Sequence, residues 1–289
     1  MILLAVFAVF FYFQLIKIDW AKEKIELVHP LFLMFTLFLV PINWLLEWLK
    51  WVVTIDVVDV RATQRVKLNS FFAGIITGML TPNMLGNFIG RIYYFERRNR
   101  IPLIILTLVS NYAQFIASIV FGVIGIIILE KVPIDIDIEQ INFLLVGIGI
   151  VVTILYFNFE WIFKFLKRKA RIHELIRNIK RRRIYRWKIL LLSFLRHGIF
   201  TLQFSFILHA FGENLSVENV FWIWQVYLWV TIAPSLILGK LAIRESIAIW
   251  VLALAGMGEL TVLICSFLIW TFNLLIPTIV GLFICKEKQ

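Results

Sequence analysis

Long apolar runs are the feature that most constrains the fold of this chain. They extend for 15–27 residues, recur along the whole sequence and do not alternate with polar residues. Inside a bilayer only helices and closed barrels satisfy their own backbone hydrogen bonds, and barrel strands show alternating segments of about ten residues. Because 61% of the residues are hydrophobic, the polar remainder cannot coat a soluble fold. The sequence therefore predicts an all-α, polytopic transmembrane bundle in a single membrane domain, 1–289.

Eight of these runs are predicted to cross the membrane, for which a helix needs about 20 residues. They lie near 1–17, 31–52, 103–129, 141–163, 188–209, 218–237, 241–256 and 259–285. The first run has neither a basic leader nor a small-residue cleavage site, so we expect it to be retained. A basic linker, 164–188, divides the predicted domain into a first half, 1–163, and a second half, 189–289.

The formal net charge of +11 predicts membrane orientation rather than nucleic-acid binding. Twelve of the 29 Lys and Arg residues fall in the linker 164–188, and the loop 91–100 is also basic. An excess of this kind marks cytoplasmic loops, whereas the acidic loop 130–140 and the loop 210–218, which has no Lys or Arg, belong outside. These assignments predict a multi-pass protein of the cell (inner) membrane with both termini in the cytoplasm and no nucleic-acid partner.

The linker 164–188 also has the pattern of an amphipathic helix. Ile172, Leu175, Ile176 and Ile179 recur at helical spacing, and Lys and Arg occupy the other faces. Helices of this composition lie on anionic leaflets, where each basic residue adds about 1 kcal/mol. The simplest interpretation is an anchor that sets topology; capture of cargo or docking of a partner protein are the alternatives.

Residues 68–90 depart from the alternation of inside and outside loops. The segment is apolar, yet it contains four Gly, three Asn, two Thr and a Pro. A full crossing would move Lys50, Arg61, Arg65 and Lys67 outside, so a re-entrant hairpin from the cytoplasmic side fits better. Irregular backbone at membrane depth is tolerated only inside protein or beside a watery cavity. This segment is therefore a candidate for a site.

Two interrupted apolar segments share one pattern, in which Pro is followed by Gly four or five residues later and by Arg five residues beyond that. The residues of these breaks are Pro82, Asn83, Gly86, Asn87 and Arg91 in the first half and Pro234, Gly239, Lys240, Arg244 and Glu245 in the second. Transporters with internal repeats place broken helices near a central site, where half-helix N-termini face anionic groups. The pattern suggests an internal pseudo-repeat around such a site.

The two segments and the order of the flanking spans resemble the lysylphosphatidylglycerol synthetase transmembrane-region family, a flippase-like domain. That family has a first motif T-P-G-x-x-G-E followed by Arg, and here TPNMLGN precedes Arg91. Its second motif is P-x-x-x-G-G-x-G-x-R-E, and here the chain reads PSLILGKLAIRE. Asn87 replaces the acidic residue, while Asn83, Lys240 and Ala242 stand at glycine positions, so a site that needs that carboxylate must work differently here. Since the sequence ends soon after the last span, we expect no aminoacyltransferase domain and no lipid aminoacylation.

The resemblance and the two breaks lead to a hypothesis of lipid transport. Arg91 and Arg244 would bind the phosphate of a phospholipid or polyprenyl-linked headgroup in a common hollow, with Glu245 and Lys240 beside them. The alternative for either arginine is a position at the interface, where its side chain snorkels to water. Arg244 and Glu245 point to different helix faces, so they need not pair with each other.

Other polar residues in the apolar runs have local explanations as well as functional ones. Glu47 is three residues before Lys50, a spacing that permits an ion pair, and Trp44, Trp48 and Trp51 around it would form an interfacial belt. The alternative is that Glu47 lines a cavity and couples transport to the movement of protons.

The third crossing helix also has a polar face. Asn111, Gln114 and Ser118 would form hydrogen bonds between helices or, alternatively, line a cavity for cargo. Arg196 and His197 lie within the fifth crossing and have a weaker claim to a cavity role.

Two other classes of function remain open. An intramembrane enzyme acting on lipid phosphate would have Glu245, Glu47 and His197 as its acid–base candidates. A scaffold without transport would instead require a membrane enzyme as its partner, such as a glycosyltransferase. The sequence has no Gly-rich phosphate loop and no metal-ligand spacing, so we predict neither a cofactor nor a metal site.

Overall fold

A computed structural model describes residues 25–81, 84–133, 138–159, 184–233 and 239–285. The predicted first crossing, 1–17, lies outside the described residues, as do the linker up to residue 183 and the break residues Pro82, Asn83 and Pro234.

The described residues form helices and contain no strand, which confirms the all-α fold class. The helices are α1 (Pro30–Val58), α2 (Gln64–Met79), α3 (Gly86–Tyr93), α4 (Arg97–Leu129), α5 (Ile138–Phe157), α6 (Ile184–Ala210), α7 (Val217–Ile232), α8 (Gly239–Ala253), α9 (Glu259–Trp270) and α10 (Ile276–Ile284). A π-helical turn, Thr271–Leu275, connects α9 to α10.

Within the described residues, four helical stretches are long and apolar enough to cross a membrane, namely α1, α4, α6 and the stretch from α9 through α10. They coincide with the crossings predicted near 31–52, 103–129, 188–209 and 259–285. Helices α7 and α8 have 16 and 15 residues, which gives them lengths of only about 24 Å against a hydrocarbon core of about 30 Å. The total of eight crossings stays a prediction.

Several large apolar side chains are exposed, and several charged side chains are buried. Phe143, Phe283 and Leu80 are 86%, 83% and 77% exposed, whereas Lys50 and Arg91 are each 1% exposed. Large apolar patches of this kind are unstable in water, and buried charges are costly unless they are paired. Lipid is therefore the solvent for much of this surface.

The chain divides into two compact units. The first comprises Met1–Asn43, Ser118–Gly147 and Gly198–Leu275, and the second comprises Trp44–Ala117, Ile148–His197 and Ile276–Gln289. Four helices (α1, α4, α5 and α6) contribute residues to both units. Each unit draws on the early and the late parts of the chain, and the division of the domain at the linker stays a prediction.

In the second unit, α2 and α3 form a tightly packed antiparallel hairpin. A Cβ on Gly86 would lie 2.1 Å from the carbonyl oxygen of Thr77, and one on Gly90 would lie 2.2 Å from that of Ala73. Only glycine permits so close an approach of two backbones. The chain thus reverses direction within residues 68–90, and its re-entry from one side of a bilayer stays a prediction.

The first unit is built around α7, α8 and α9, which pack against one another in chain order. Its core includes Trp222, Ile247 and Val262, which are almost fully buried. The backbone N–H of Gly258, at the start of α9, donates to the carboxylate of Glu213 at 2.9 Å. This contact satisfies a donor that a helix N-terminus leaves without an intrahelical partner.

Candidate functional site

Four charged side chains of the second unit meet around one carboxylate. Glu47 Oε1 accepts a hydrogen bond from Arg91 Nη2 at 2.7 Å. Glu47 Oε2 lies 3.0 Å from Arg196 Nη1 and 3.3 Å from Lys50 Nζ. These four residues, which we call the Glu47 cluster, place three cations on a single acidic group.

Three helices supply the Glu47 cluster. Glu47 and Lys50 lie one turn apart on α1, Arg91 lies on α3, and Arg196 lies on α6. From the rise per residue, Arg196 is about 18 Å from the start of α6 and about 21 Å from its end. Glu47 is about 26 Å from the start of α1 and about 17 Å from its end. The cluster therefore lies well inside two helices that are candidate membrane spans.

The side chains of the Glu47 cluster are largely buried, so an imbalance of charge among them costs free energy. The side chains of Lys50 and Arg91 are 1% exposed, whereas those of Glu47 and Arg196 are 13% and 21% exposed. Taking a charge out of water costs several kcal/mol unless it is compensated. Lys50 and Arg91 already outnumber Glu47, and with Arg196 the four side chains carry a formal charge of +2. The partly exposed edge at Glu47 and Arg196 gives access to this positive charge.

The hairpin and α1 hold the Arg91 guanidinium in place. It lies 5.1 Å from the ring centroid of Trp51 and 5.9 Å from that of Phe71, within the range of cation–π attraction. The indole N–H of Trp51 donates to Ser70 Oγ at 2.8 Å. Trp51 is fully buried, so its expected place in an interfacial belt is wrong. Its ring supports Arg91 instead.

Gly74 on α2 leaves room for Arg91 and Asn87 of α3. A Cβ at Gly74 would lie 2.5 Å from Arg91 Cγ and 3.0 Å from Asn87 Oδ1. Among the described residues, Asn87 Oδ1 and Arg91 Nε are buried without a hydrogen-bond partner. The carboxylate that pairs with Arg91 comes from Glu47 on α1, while position 87 offers an amide.

Arg244 belongs to the first unit and is paired differently. Its Nε donates to Glu245 Oε2 at 2.9 Å, its Nη2 donates to Glu245 Oε1, and Nη2 also reaches the carbonyl oxygen of Ser266 at 2.9 Å. The expectation that Arg244 and Glu245 need not pair is corrected, because the long arginine side chain folds back onto its neighbour. The Glu245 side chain is 3% exposed and that of Arg244 is 21% exposed.

The remaining predicted site residues occupy separate places. Gly86 and Asn87 form the first turn of α3, while Gly239 and Lys240 begin α8, where their side chains lie outside the description. On α4, Asn111 is exposed and Gln114 is half-buried, and Gln114 Oε1 has no hydrogen-bond partner in the described ranges. Arg91 and Arg244 fall in different compact units, so a common hollow for them stays a prediction.

Arg196 is the member of the cluster to which sequence reasoning gave too little weight. A charged residue in the middle of an apolar run is costly, and this cost was the only available signal. The predicted Glu47–Lys50 pair is present. No group of three or more His, Cys, Asp or Glu side chains in the described part of the chain could hold a metal ion.

A model of a known family matches most of the chain. The model of the family described as lysylphosphatidylglycerol synthase TM region matches residues 1–281. No curated protein and no solved structure matches the chain. Because the family model covers nearly the whole sequence, the chain belongs to the lysylphosphatidylglycerol synthase TM region family of multi-pass membrane proteins.

Proposed function

We propose that this protein translocates lipids with a phosphate in the headgroup, and that the Glu47 cluster binds that phosphate. The observation that carries the proposal is the excess of buried cations over the one carboxylate. Membership of a family related to lipid modification or flipping supports it. The lipid tails would remain among the exposed apolar side chains while the headgroup enters the protein.

The cluster has the chemistry that phosphate binding needs. A guanidinium can donate two parallel hydrogen bonds to phosphate oxygens, and an ammonium group adds a compact charge. The four side chains sum to +2, and together with a bound phosphate of one negative charge they would sum to +1. Because less positive charge is then left uncompensated inside the protein, phosphate binding is favourable.

Glu47 has a second role in this proposal. It holds the cations in position when no lipid is bound, and it competes with phosphate for the same donors when lipid is present. A transport site must bind well enough to load its cargo and weakly enough to release it. Competition by the Glu47 carboxylate provides this balance.

Arg244, Glu245 and Lys240 are proposed as further headgroup contacts with a smaller share of the binding. Arg244 already has a carboxylate and a carbonyl oxygen as acceptors. Its pair with Glu245 sums to zero charge, so it attracts an anion less strongly than the Glu47 cluster does. Lys240, four residues earlier on α8, would add positive charge.

The direct test is transport of fluorescent phospholipids by the purified protein in liposomes, with chemical quenching of the outer leaflet as readout. For Arg91→Gln we expect transport at least about tenfold slower, because the phosphate loses a charge-assisted hydrogen bond worth about 1.5–3 kcal/mol, more than the roughly 1.4 kcal/mol that a tenfold change requires. The matched control is Arg97→Gln, which removes an exposed arginine of α4 and should transport at the wild-type rate.

Two results would contradict the proposal. A wild-type rate for folded Arg91→Gln would favour the scaffold alternative, since a scaffold tolerates loss of the arginine. Chemically altered lipid, detected by mass spectrometry after incubation, would favour the intramembrane enzyme.

A further inference from the structure

A cavity of about 720 Å³ lies in the second unit, between the α1–α2 connection and the α3–α4 connection. Its volume is within the range of small-molecule sites. Its polar and charged lining residues include Asp59, Arg61, Tyr94, Glu96, Arg98 and Asn99. The surrounding loops are basic, which places the cavity on the predicted cytoplasmic side.

The lining combines both signs of charge. Arg61 and Arg98 are cationic, and Asp59 and Glu96 are anionic. Arg98 Nε lies 2.6 Å from Glu96 Oε2, but both side chains are about two-thirds exposed. An exposed pair of this kind contributes little stability, so its members can exchange partners with a ligand. A lining with two charges of each sign fits a ligand that is itself both anionic and cationic.

Asp59, one of the two acidic residues of the cavity, has an unusual backbone conformation. It follows the last residue of α1 with a φ of 60°, in the left-handed region that glycine adopts without cost. Glycine or asparagine commonly ends a helix in this conformation. Replacement of Asp59 by glycine should therefore preserve the backbone and remove only the carboxylate.

An aromatic pair separates the cavity from the Glu47 cluster. Phe95 lines the cavity and is 3% exposed. Its ring packs edge-on against Trp51 at 5.9 Å between centroids, and Trp51 in turn lies against Arg91. A ligand in the cavity therefore meets Phe95, whereas the cluster is on the other side of this contact chain.

We propose that this cavity is a second binding site, which takes a ligand that carries both a phosphate and a primary amine. The phosphate binds Arg61 and Arg98, and the amine binds Asp59 and Glu96. The headgroup of an amine-bearing phospholipid and the free phosphoamine share this chemistry. The site goes beyond the proposed translocation function and does not depend on it.

The test is protection of a single cysteine in the cavity. Asn99→Cys is introduced into a Cys285→Ser background; Cys265 is fully buried, so it should not react. The protein is placed in nanodiscs of phosphatidylglycerol, with or without phosphatidylethanolamine, and labelling by a membrane-impermeant thiol reagent is timed. A third arm adds free phosphoethanolamine to the phosphatidylglycerol nanodiscs. A ligand at ten times its Kd should slow labelling by about tenfold.

Protection by phosphatidylethanolamine supports the proposal with a lipid as the source, and protection by free phosphoethanolamine alone supports it with a soluble source. Arg61→Gln and Asp59→Gly should each abolish protection, whereas Arg97→Gln should leave it intact. Arg196→Gln should slow lipid transport and leave protection unchanged, so failure of the two proposals can be told apart.

Three results would overturn the site. Equal labelling rates in all three arms would show that no such ligand occupies the cavity. Protection that survives both Arg61→Gln and Asp59→Gly would place the ligand elsewhere. Greater protection in phosphatidylglycerol than with either amine-bearing compound would exclude the requirement for an amine.

Discussion

Arg91 and Arg244 stand at corresponding places in the two breaks, but their surroundings differ. Arg91 is 1% exposed and shares Glu47 with two other cations, whereas Arg244 is 21% exposed and has Glu245 beside it together with a carbonyl oxygen. The first arrangement has surplus positive charge, and the second is a neutral pair. Similar sequence patterns can therefore support unequal electrostatic roles.

On the proposed function, the two arginines contribute unequally to headgroup binding. A neutral, partly buried pair with a further acceptor gains less from an added anion, and its bond to Ser266 joins α8 to α9. A buried cluster with surplus charge is costly to maintain, and an anion relieves that cost. This contrast can be tested by removing each component in turn.

The largest effect is expected from the carboxylates. Glu47→Gln leaves Lys50 and Arg91 buried without their counter-charge, so the free energy of unfolding should fall by about 3–5 kcal/mol. Glu245→Gln should cost roughly 1–2 kcal/mol, because Arg244 is partly exposed and keeps its bond to Ser266. Denaturant unfolding in detergent measures both values. Equal decreases in the free energy of unfolding for the two variants would show that the two carboxylates do not differ in their electrostatic roles.

A smaller effect is expected from the glycine beside Arg91. The Cβ of Gly74→Ala would lie 2.5 Å from Arg91 Cγ, and overpacking of this kind costs about 1–3 kcal/mol. Since the displaced guanidinium also loses its alignment with Glu47, lipid transport should slow. Gly198→Ala on α6 is the matched control, because its Cβ would meet nothing within 4 Å. Wild-type transport by a folded Gly74→Ala protein would show that the position of Arg91 is unimportant.

The smallest effect is expected from free anions. Inorganic phosphate at ten times its Kd should stabilise the protein by about 1.4 kcal/mol through mass action. Arg91→Gln should abolish this stabilisation, and Arg244→Gln should retain it. Thermal unfolding in phosphate, compared with chloride at equal ionic strength, provides the measurement. A loss with Arg244→Gln alone would reverse the assignment of the two arginines.

The helices could be predicted well because their signal is local. The apolar run at 31–52 corresponds to Pro30–Val58, and the run at 218–237 corresponds to Val217–Ile232. The Gly, Pro and Asn residues of 68–90 likewise predicted a hairpin, and the chain forms one from two regular helices, α2 and α3. The Glu47–Lys50 pair followed from spacing on one helix turn.

The meeting of three helices at Glu47 could not be predicted in the same way. Arg91 and Arg196 are 44 and 149 residues beyond Glu47 in the chain, and no periodicity within one helix reveals which other helix it contacts. The pair of Arg244 with Glu245 was missed for another reason. Directions of Cβ atoms at adjacent positions diverge, but a long arginine side chain can bend across that divergence.

The close backbone contact at Gly86 and Gly90 has a mechanical consequence. Where a carbonyl oxygen lies directly against an α-carbon, there is no layer of side chains that can change rotamer to absorb a displacement. Helices α2 and α3 should therefore move together as a rigid body. A backbone movement of α3 at Arg91 should then also move Ser70 of α2, the acceptor of the Trp51 indole.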